Sequence, residues 1–362
     1  MPRLQVHSNL PETSHGAYLC TKMRLDTLAP LIDNLKSGNY RKAVITTHHK
    51  PDGDAMGSSL GLYAFLKHHI AEVQVIAPTD YAEFLNWLPG NETVLIFEEQ
   101  EAECKAITEA ADIIFCLDFN RLSRINEYGE VVRNARAEKV MIDHHLEPEH
   151  FQQYALWDPK SSSTAELVFH LIKHYFGLEH ISQDCATCLY TGLMTDTGNF
   201  QYSNTNSLTH LIAADLLEQG ADHVGIHERI YDVFTPNRTR LFGYCMLHKL
   251  EVLPELRTAL IYLTKEELEQ FDVKTGDTEG LVNLGLGLKG IVLSVLIIDR
   301  TKMVKMSFRS KGDFPVNEYA AKYFNGGGHR NASGGASDEP LDKVVQKFRD
   351  TIKDYKEALL AI

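Results

Sequence analysis

Four short apolar runs alternate with helical stretches in the first half of this chain, and three of them end on histidine or aspartate. Ala43-Val44-Ile45-Thr46-Thr47 leads into His48-His49-Lys50-Pro51-Asp52-Gly53-Asp54. Ile113-Ile114-Phe115-Cys116-Leu117 leads into Asp118, and Val140-Met141-Ile142 into Asp143-His144-His145. Val73-Gln74-Val75-Ile76-Ala77 is the fourth run. Short β-branched runs bounded by turn residues read as buried strands. Their alternation with helical stretches, at 24–39 and 55–69, predicts an α/β fold with a doubly wound, mainly parallel sheet. Sheets of that kind place their sites at the carboxyl ends of the strands, where these side chains fall.

The donors in these clusters are imidazole and carboxylate, without cysteine. That mix suits hard or borderline divalent ions such as Mn²⁺ or Mg²⁺, and two such ions side by side are a standard device for cleaving phosphate esters. His48, Asp52 and Asp54 converge through a turn at Pro51 and Gly53, the glycine letting the backbone turn tightly between the two aspartates. Spacings of four and two can put His48 and Asp54 on one ion and Asp52 on the other. Asp118 is placed to bridge two ions. His144 can ligate while Asp143 orients a histidine from behind, which leaves His145 to face substrate. Asp196, in Met194-Thr195-Asp196-Thr197-Gly198-Asn199, completes two imidazoles and four carboxylates; capping a helix is the alternative there. Ser163-Thr164-Ala165-Glu166 reads as a capping box opening a helix over 165–175.

The pattern changes further on. Helical stretches near 182–194 and 206–219 precede a charged segment, 221–250, that reads as a helical linker. Beyond it, 259–263 reads as a strand, 291–298 and 303–308 as a hairpin, 316–324 as a helix, and 341–360 as an amphipathic helix. A smaller α+β domain is expected there. It carries Gly326-Gly327-Gly328-His329, whose glycines expose N–H groups that can cradle an anion, and Arg309 with Lys311 nearby, a candidate phosphate clamp. The expected division is an N-terminal extension, 1–23, a metal-binding domain, 24–220, the linker, 221–250, and a substrate-binding domain, 251–362, with the active site in the cleft between the domains.

Composition narrows the function classes. The 362 residues suggest roughly two domains, and the net charge of −13 gives long nucleic acid no global attraction. The charge is uneven, with eight Lys/Arg against three Asp/Glu from Lys289 to Arg330. A local basic surface suits a small phosphorylated substrate better than a duplex. The six cysteines are irregularly spaced and read as reduced, cytoplasmic residues. Cys185-Ala-Thr-Cys188 lies in a helical, apolar setting and reads as small core residues. Gly285-Leu-Gly287-Leu-Lys-Gly290 fits G-x-G-x-x-G but precedes a strand, so the dinucleotide reading fails. No run of about 18 apolar residues predicts a membrane span, and residues 1–22 lack the apolar stretch of a signal peptide.

In the order HxxPDxD, Asp, DHH, TDTG and GGGH, the chain resembles the DHH phosphoesterases with a C-terminal DHHA1 domain, over about residues 24–355. Motif spelling and length resemble the nano-RNase branch, bifunctional oligoribonucleases and adenosine 3',5'-bisphosphate phosphatases. The resemblance implies two Mn²⁺ ions on His48, Asp52, Asp54, Asp118, His144 and Asp196, with Mg²⁺ possible. It implies a phosphate contact at His145, and substrate contacts at Gly326, Gly327, Gly328, His329 and, less surely matched, Arg309. Short RNA oligonucleotides and nucleoside bisphosphates are the implied substrates, in a cytoplasmic homodimer. Two departures are His49, expected to point away from the metals, and Phe119-Asn120, whose contacts the family pattern leaves open. The alternatives are a linear or cyclic di-adenylate phosphodiesterase, a single-strand DNA exonuclease, an exopolyphosphatase, and a non-catalytic nucleotide-binding regulatory protein.

Overall fold

The computed structural model describes residues 25–274 and 276–362; the expected extension, residues 1–23, lies outside them. The chain divides into two compact units, one through Ile230 and one from Tyr231.

The first unit is built on six strands, β1 (Lys42–Thr46), β2 (Glu72–Ala77), β3 (Leu95–Ile96), β4 (Ile113–Leu117), β5 (Glu138–Asp143) and β6 (Tyr154–Trp157). Their order is β3-β2-β1-β4-β5-β6, all parallel. Strand order reverses between β1 and β4, which leaves a crevice at their carboxyl ends. The helices are α1 (Ala29–Lys36), α2 (Gly53–Leu66), α3 (Glu101–Glu109), α4 (Tyr128–Asn134), α5 (Thr164–Tyr175), α6 (Gln183–Asp196), α7 (Ser207–Glu218) and α8 (His223–Tyr231). The helix expected over 24–39 starts as a single 3-10 turn, Leu25–Leu28. Pro30 lies in the first turn of the α-helix proper, Ala29–Lys36, because proline fits only a first helical turn.

Helix α2 is buried on nearly every side and lies against α6 through its glycines. A Cβ at Gly57 would stand 2.6 Å from the carbonyl oxygen of Cys188 and 2.7 Å from the amide of Gly192. Gly53 and Gly61 meet Thr195 and Leu189 in the same way. Cys185 and Cys188 are buried on this helix pair, and burial pushes the Cys185 thiol up to about 12. Both are small core residues, as expected.

The second unit opens with α9 (Pro236–Tyr244) and a π-helical turn, Cys245–Lys249. Leu241 and Cys245 are buried in one cluster with Ile261, Leu281 and Leu296, so this part of the stretch read as a linker packs into the second unit. The strands are β7 (Glu251–Leu253), β8 (Thr258–Leu263), β9 (Leu293–Asp299), β10 (Val304–Ser310), β11 (Gly327–His329) and β12 (Ala332–Ser337), ordered β11-β12-β10-β9-β8-β7. The helices are α10 (Lys265–Gln270), α11 (Leu281–Leu286), α12 (Val316–Phe324), α13 (Leu341–Thr351) and α14 (Lys356–Leu360). Val304, Met306 and Phe308 alternate inward along β10 to meet Tyr319 and Phe324 of α12. The helix expected over 341–360 is broken by a 3-10 turn at Ile352–Tyr355. The Thr351 hydroxyl donates back to the Lys347 carbonyl at 2.8 Å, a bond that bends helices. The unit is the α+β domain that the sequence predicted.

Candidate metal centre

Side chains from five segments converge at the carboxyl ends of β1, β4 and β5. Asp52 caps α2, its Oδ1 accepting from the amides of Asp54 and Ala55, both at 3.1 Å. That cap turns the chain from β1 into the helix and aims Asp54 inward, where it is buried. Asp118 follows β4 with φ of 63°, a left-handed conformation that aspartate tolerates better than most residues.

The two imidazoles are oriented alike. His48 Nδ1 lies 2.9 Å from the carbonyl oxygen of His49, and His144 Nδ1 lies 3.2 Å from that of Ser161. A carbonyl only accepts, so Nδ1 carries the proton and Nε2 turns its lone pair to the carboxylates. His48 Nε2 lies 3.4 Å from Asp118 Oδ2 and 3.8 Å from Asp52 Oδ2. His144 Nε2 lies 3.5 Å from Asp118 Oδ1, 3.5 Å from Asp196 Oδ2 and 3.9 Å from Asp54 Oδ2. Two triads result, His48–Asp52–Asp118 and Asp54–Asp118–His144, each with its candidate donor atoms within 4.8 Å of one another. Asp118 belongs to both, one oxygen facing each imidazole.

This grouping differs from the one that spacing suggested. His48 associates with Asp52, and Asp54 with His144. The cause is α5, whose Thr164 and Ala165 amides donate to Asp54 at 2.6 and 2.9 Å and hold it towards the second triad. Asp196 does not take up the helix-capping alternative. It is the last residue of α6 and caps no helix. A carboxylate at a helix C-terminus faces the negative end of the dipole, so a nearby cation is favoured.

The electrostatics point the same way. Burial, with the charges of Asp118 and Asp196, raises Asp54 well above the usual carboxylate range. Burial, with Asp118 and Asp52 outweighing the attraction of His144, lifts Asp196 to about 7. For Asp118, the cost of burial is outweighed by His144, His48 and His145, which hold it well below that range. Burial opposes charge on His48 and His144, yet the surrounding carboxylates raise both. Four carboxylates drawn together, with Asp54 and Asp118 buried, carry more negative charge than two imidazoles offset. Divalent cations held by oxygen and imidazole donors fit that excess.

His145 stands beside this group. Its Nδ1 lies 2.8 Å from Asp143 Oδ1 and 3.7 Å from Asp118 Oδ1, and Asp143 is fully buried. His49 is bound away from the cluster, its amide and Nδ1 both 2.9 Å from the Arg124 carbonyl. Phe119 is buried and stacks on Phe151, while Asn120 Nδ2 donates to the Leu146 carbonyl at 2.6 Å. The loop after β4 is thereby tied to the loop after β5. The sequence reading did not pick out Thr164, whose hydroxyl donates to Asp118 Oδ1 at 2.9 Å; its signal was present in the Ser163–Glu166 cap.

The remaining predicted residues lie in the second unit. The glycine triplet is more ordered than a loop cradle, because Gly327–His329 form the edge strand β11, paired with β12. Side chains at two of the three positions would collide with backbone: a Cβ at Gly328 would stand 2.7 Å from the Ala332 carbonyl oxygen, and Gly326 abuts the Gly334 carbonyl. Gly327 has open space. Arg309 and His329 both register with Ala332, from β10 and β11 respectively. Residues paired across a sheet share a face, so the two basic side chains flank one small residue. Arg309 Nε is buried without a partner.

Residues 42–193 match the N-terminal domain of the DHH family, and residues 258–358 match the DHHA1 domain. The bifunctional oligoribonuclease and PAP phosphatase NrnA of Thermus thermophilus is 31% identical over 317 residues, 85% of this chain and 89% of that protein. The Bacillus subtilis protein of the same name is 27% identical over 323 residues, 88% and 96% of the two chains. Among solved structures, an exopolyphosphatase-related protein from Bacteroides fragilis is 42% identical with a TM-score of 0.87, covering 91% of this chain and 97% of that one. With its parallel sheet, its carboxylate–imidazole cluster and these relatives, the chain belongs to the DHH phosphoesterase family and is a metal-dependent hydrolase with a DHHA1 domain.

Proposed function

We propose that the protein hydrolyses short oligoribonucleotides to mononucleotides and adenosine 3',5'-bisphosphate to AMP. The observation that carries this reading is the pair of donor triads sharing the buried Asp118, buried throughout but for the exposed Asp52. Two divalent cations, Mn²⁺ or alternatively Mg²⁺, would be held by His48, Asp52 and Asp118 and by Asp54, Asp118, His144 and Asp196. When bound, such ions activate water and neutralise phosphate charge.

The protein's own groups do the rest. Asp118 fixes the spacing of the two sites, since each of its oxygens serves one triad. His48 and His144 keep their Nδ1 protons on carbonyls and so hold their rings still. With Nδ1 donating to Asp143, His145 turns Nε2 to the phosphate, and as an imidazolium it can donate there and stabilise developing negative charge. In the second unit, Arg309 and His329 on one sheet face suit a further phosphate, and the open space at Gly327 leaves room for a flat base. The names of the Thermus and Bacillus relatives support this substrate class.

The test is a hydrolysis panel with Mn²⁺: adenosine 3',5'-bisphosphate, a diribonucleotide, linear and cyclic di-adenylate, a single-stranded DNA of about 24 nucleotides, and polyphosphate. Fastest turnover of the first two is expected. Preference for a di-adenylate, the long strand or polyphosphate would replace the reading, and nucleotide binding without turnover would replace it with a regulatory one.

A further inference from the structure

The segment Ser161–Ala165 does more than open helix α5. Its backbone and hydroxyl groups reach three members of the proposed metal site. The Ser161 carbonyl accepts from His144 Nδ1 at 3.2 Å. The Thr164 and Ala165 amides donate to the two oxygens of Asp54, and the Thr164 hydroxyl donates to Asp118. Asn204 Nδ2 adds a link, donating to the Ser162 carbonyl at 2.9 Å and to the Asp196 carbonyl at 3.2 Å. Residues 161–164 are all buried.

What holds the segment itself is Glu166. In an ordinary capping box the glutamate three residues after the cap reaches back to the amide of the cap residue, here Ser163. Ser163 keeps its half, its hydroxyl accepting from the Glu166 amide at 3.0 Å. The Glu166 carboxylate instead reaches one residue further, accepting from both the amide and the hydroxyl of Ser162. Glu166 is 2% exposed; its carboxylate hydrogen-bonds to Ser162, with His170 Nε2 4.0 Å from Oε1, and it makes no hydrogen bond to a proposed ligand. A carboxylate buried for capping alone would be an expensive cap, since a neutral side chain can accept the same bond.

We propose that Glu166 is a positioning residue of the metal centre, pinning the Ser161–Ala165 segment so that it sets the orientation of Asp54, Asp118 and His144. The inference rests on the metal-site reading above. Partners behind metal ligands are worth roughly 10- to 100-fold in metal affinity, and one carboxylate acting on three ligands belongs in that range.

The experiment measures Mn²⁺ binding by calorimetry to metal-free wild type, Glu166→Ala and Glu166→Gln, together with melting temperature with and without Mn²⁺. Glutamine keeps the shape and one acceptor oxygen. The expected result is an affinity loss of about 10-fold or more in the alanine variant, with recovery of most of it in the glutamine variant. The Mn²⁺-induced rise in melting temperature should shrink in parallel. If both variants melt lower by the same amount with and without Mn²⁺, at unchanged affinity, Glu166 only supports the fold and the inference is overturned. Should the alanine variant not fold, the glutamine variant decides, an affinity indistinguishable from wild type counting against the proposal. Wild type that binds no Mn²⁺ would overturn the metal-site reading instead.

Discussion

The buried carboxylate of Asp143 and the imidazole of His145, two residues apart at the end of β5, meet at 2.8 Å between Oδ1 and Nδ1. This bond keeps a proton on Nδ1 and fixes the direction of Nε2. An amide in place of the carboxylate is neutral and no longer balances the positive charge of an imidazolium that donates through both nitrogens. Asp143→Asn should therefore lower kcat by about 100-fold or more, within the range that general acid–base groups contribute. Mn²⁺ affinity should stay within a few-fold of wild type. Steady-state kinetics beside a Mn²⁺ titration checks this, and an unchanged kcat would remove Asp143 from the mechanism.

Metal and pH should act against each other. In the metal-free protein Asp54, Asp196, His48 and His144 all have pKa values above their ordinary ones. Groups raised on folding add stability below their unfolded pKa values and lose it as pH rises through the folded values, about 7 for Asp196. Asp118, lowered, works oppositely, and its contribution is already complete at neutral pH. Chelated protein should melt at a lower temperature at pH 8 than at pH 5.5. Bound Mn²⁺ takes the place of those protons, so its stabilising effect should be larger at pH 8. Melting curves with EDTA and with Mn²⁺ at the two pH values measure both trends; an equal metal effect at each pH contradicts the assignment.

The three glycines before His329 should separate by position. Gly326→Ala and Gly328→Ala place a methyl group against backbone carbonyls, and Gly328 has φ of 136°. Each should cost roughly 1–3 kcal/mol, as overpacking does. Gly327→Ala meets open space and should stay within about 0.5 kcal/mol of wild type. Urea unfolding ranks the three, and any loss of substrate affinity in Gly327→Ala would then report a contact with substrate rather than a damaged strand.

Acid should weaken the fold through His170. Burial, helped by Lys173 and His174, lowers this residue to about 4, so it is neutral when folded and takes up a proton on unfolding below its ordinary value of 6.5. A lowered histidine adds stability above pH 6.5 that is lost as pH falls towards 4. The full effect is on the order of 3 kcal/mol. His170→Phe should be less acid-sensitive than wild type by a comparable amount when unfolded by urea at pH 4.5 and 7. Identical pH dependence of the two proteins would rule the histidine out.

Much of the site was legible because its residues lie at the ends of Val/Ile-rich runs. β4 was read residue for residue, as was helix α12. The grouping of ligands was not legible, because Asp54 is held by amides 110 and 111 residues away, and nothing near Asp54 records them. β11 was read as a loop because glycine is poor in strands; pairing with β12 overrides that preference. β6 has four residues and sits at the sheet edge, while α3 carries four charged residues in nine. The apolar run of β6 is too short, and α3 too charged, to stand out in a sequence reading.

The glycine contact between α2 and α6 reaches further than the core it helps to pack. Asp54 follows Gly53 in α2, and Asp196 follows the threonine that Gly53 touches in α6. Two carboxylates from different helices thus take their separation from how closely a glycine backbone and a threonine side chain can pack. The helix pair works as a gauge, and its tolerance is smaller than a methyl group. A substitution at Gly61, about two turns along from Asp54, would be read out first in which ion the protein accepts, before it was felt as a failure to fold.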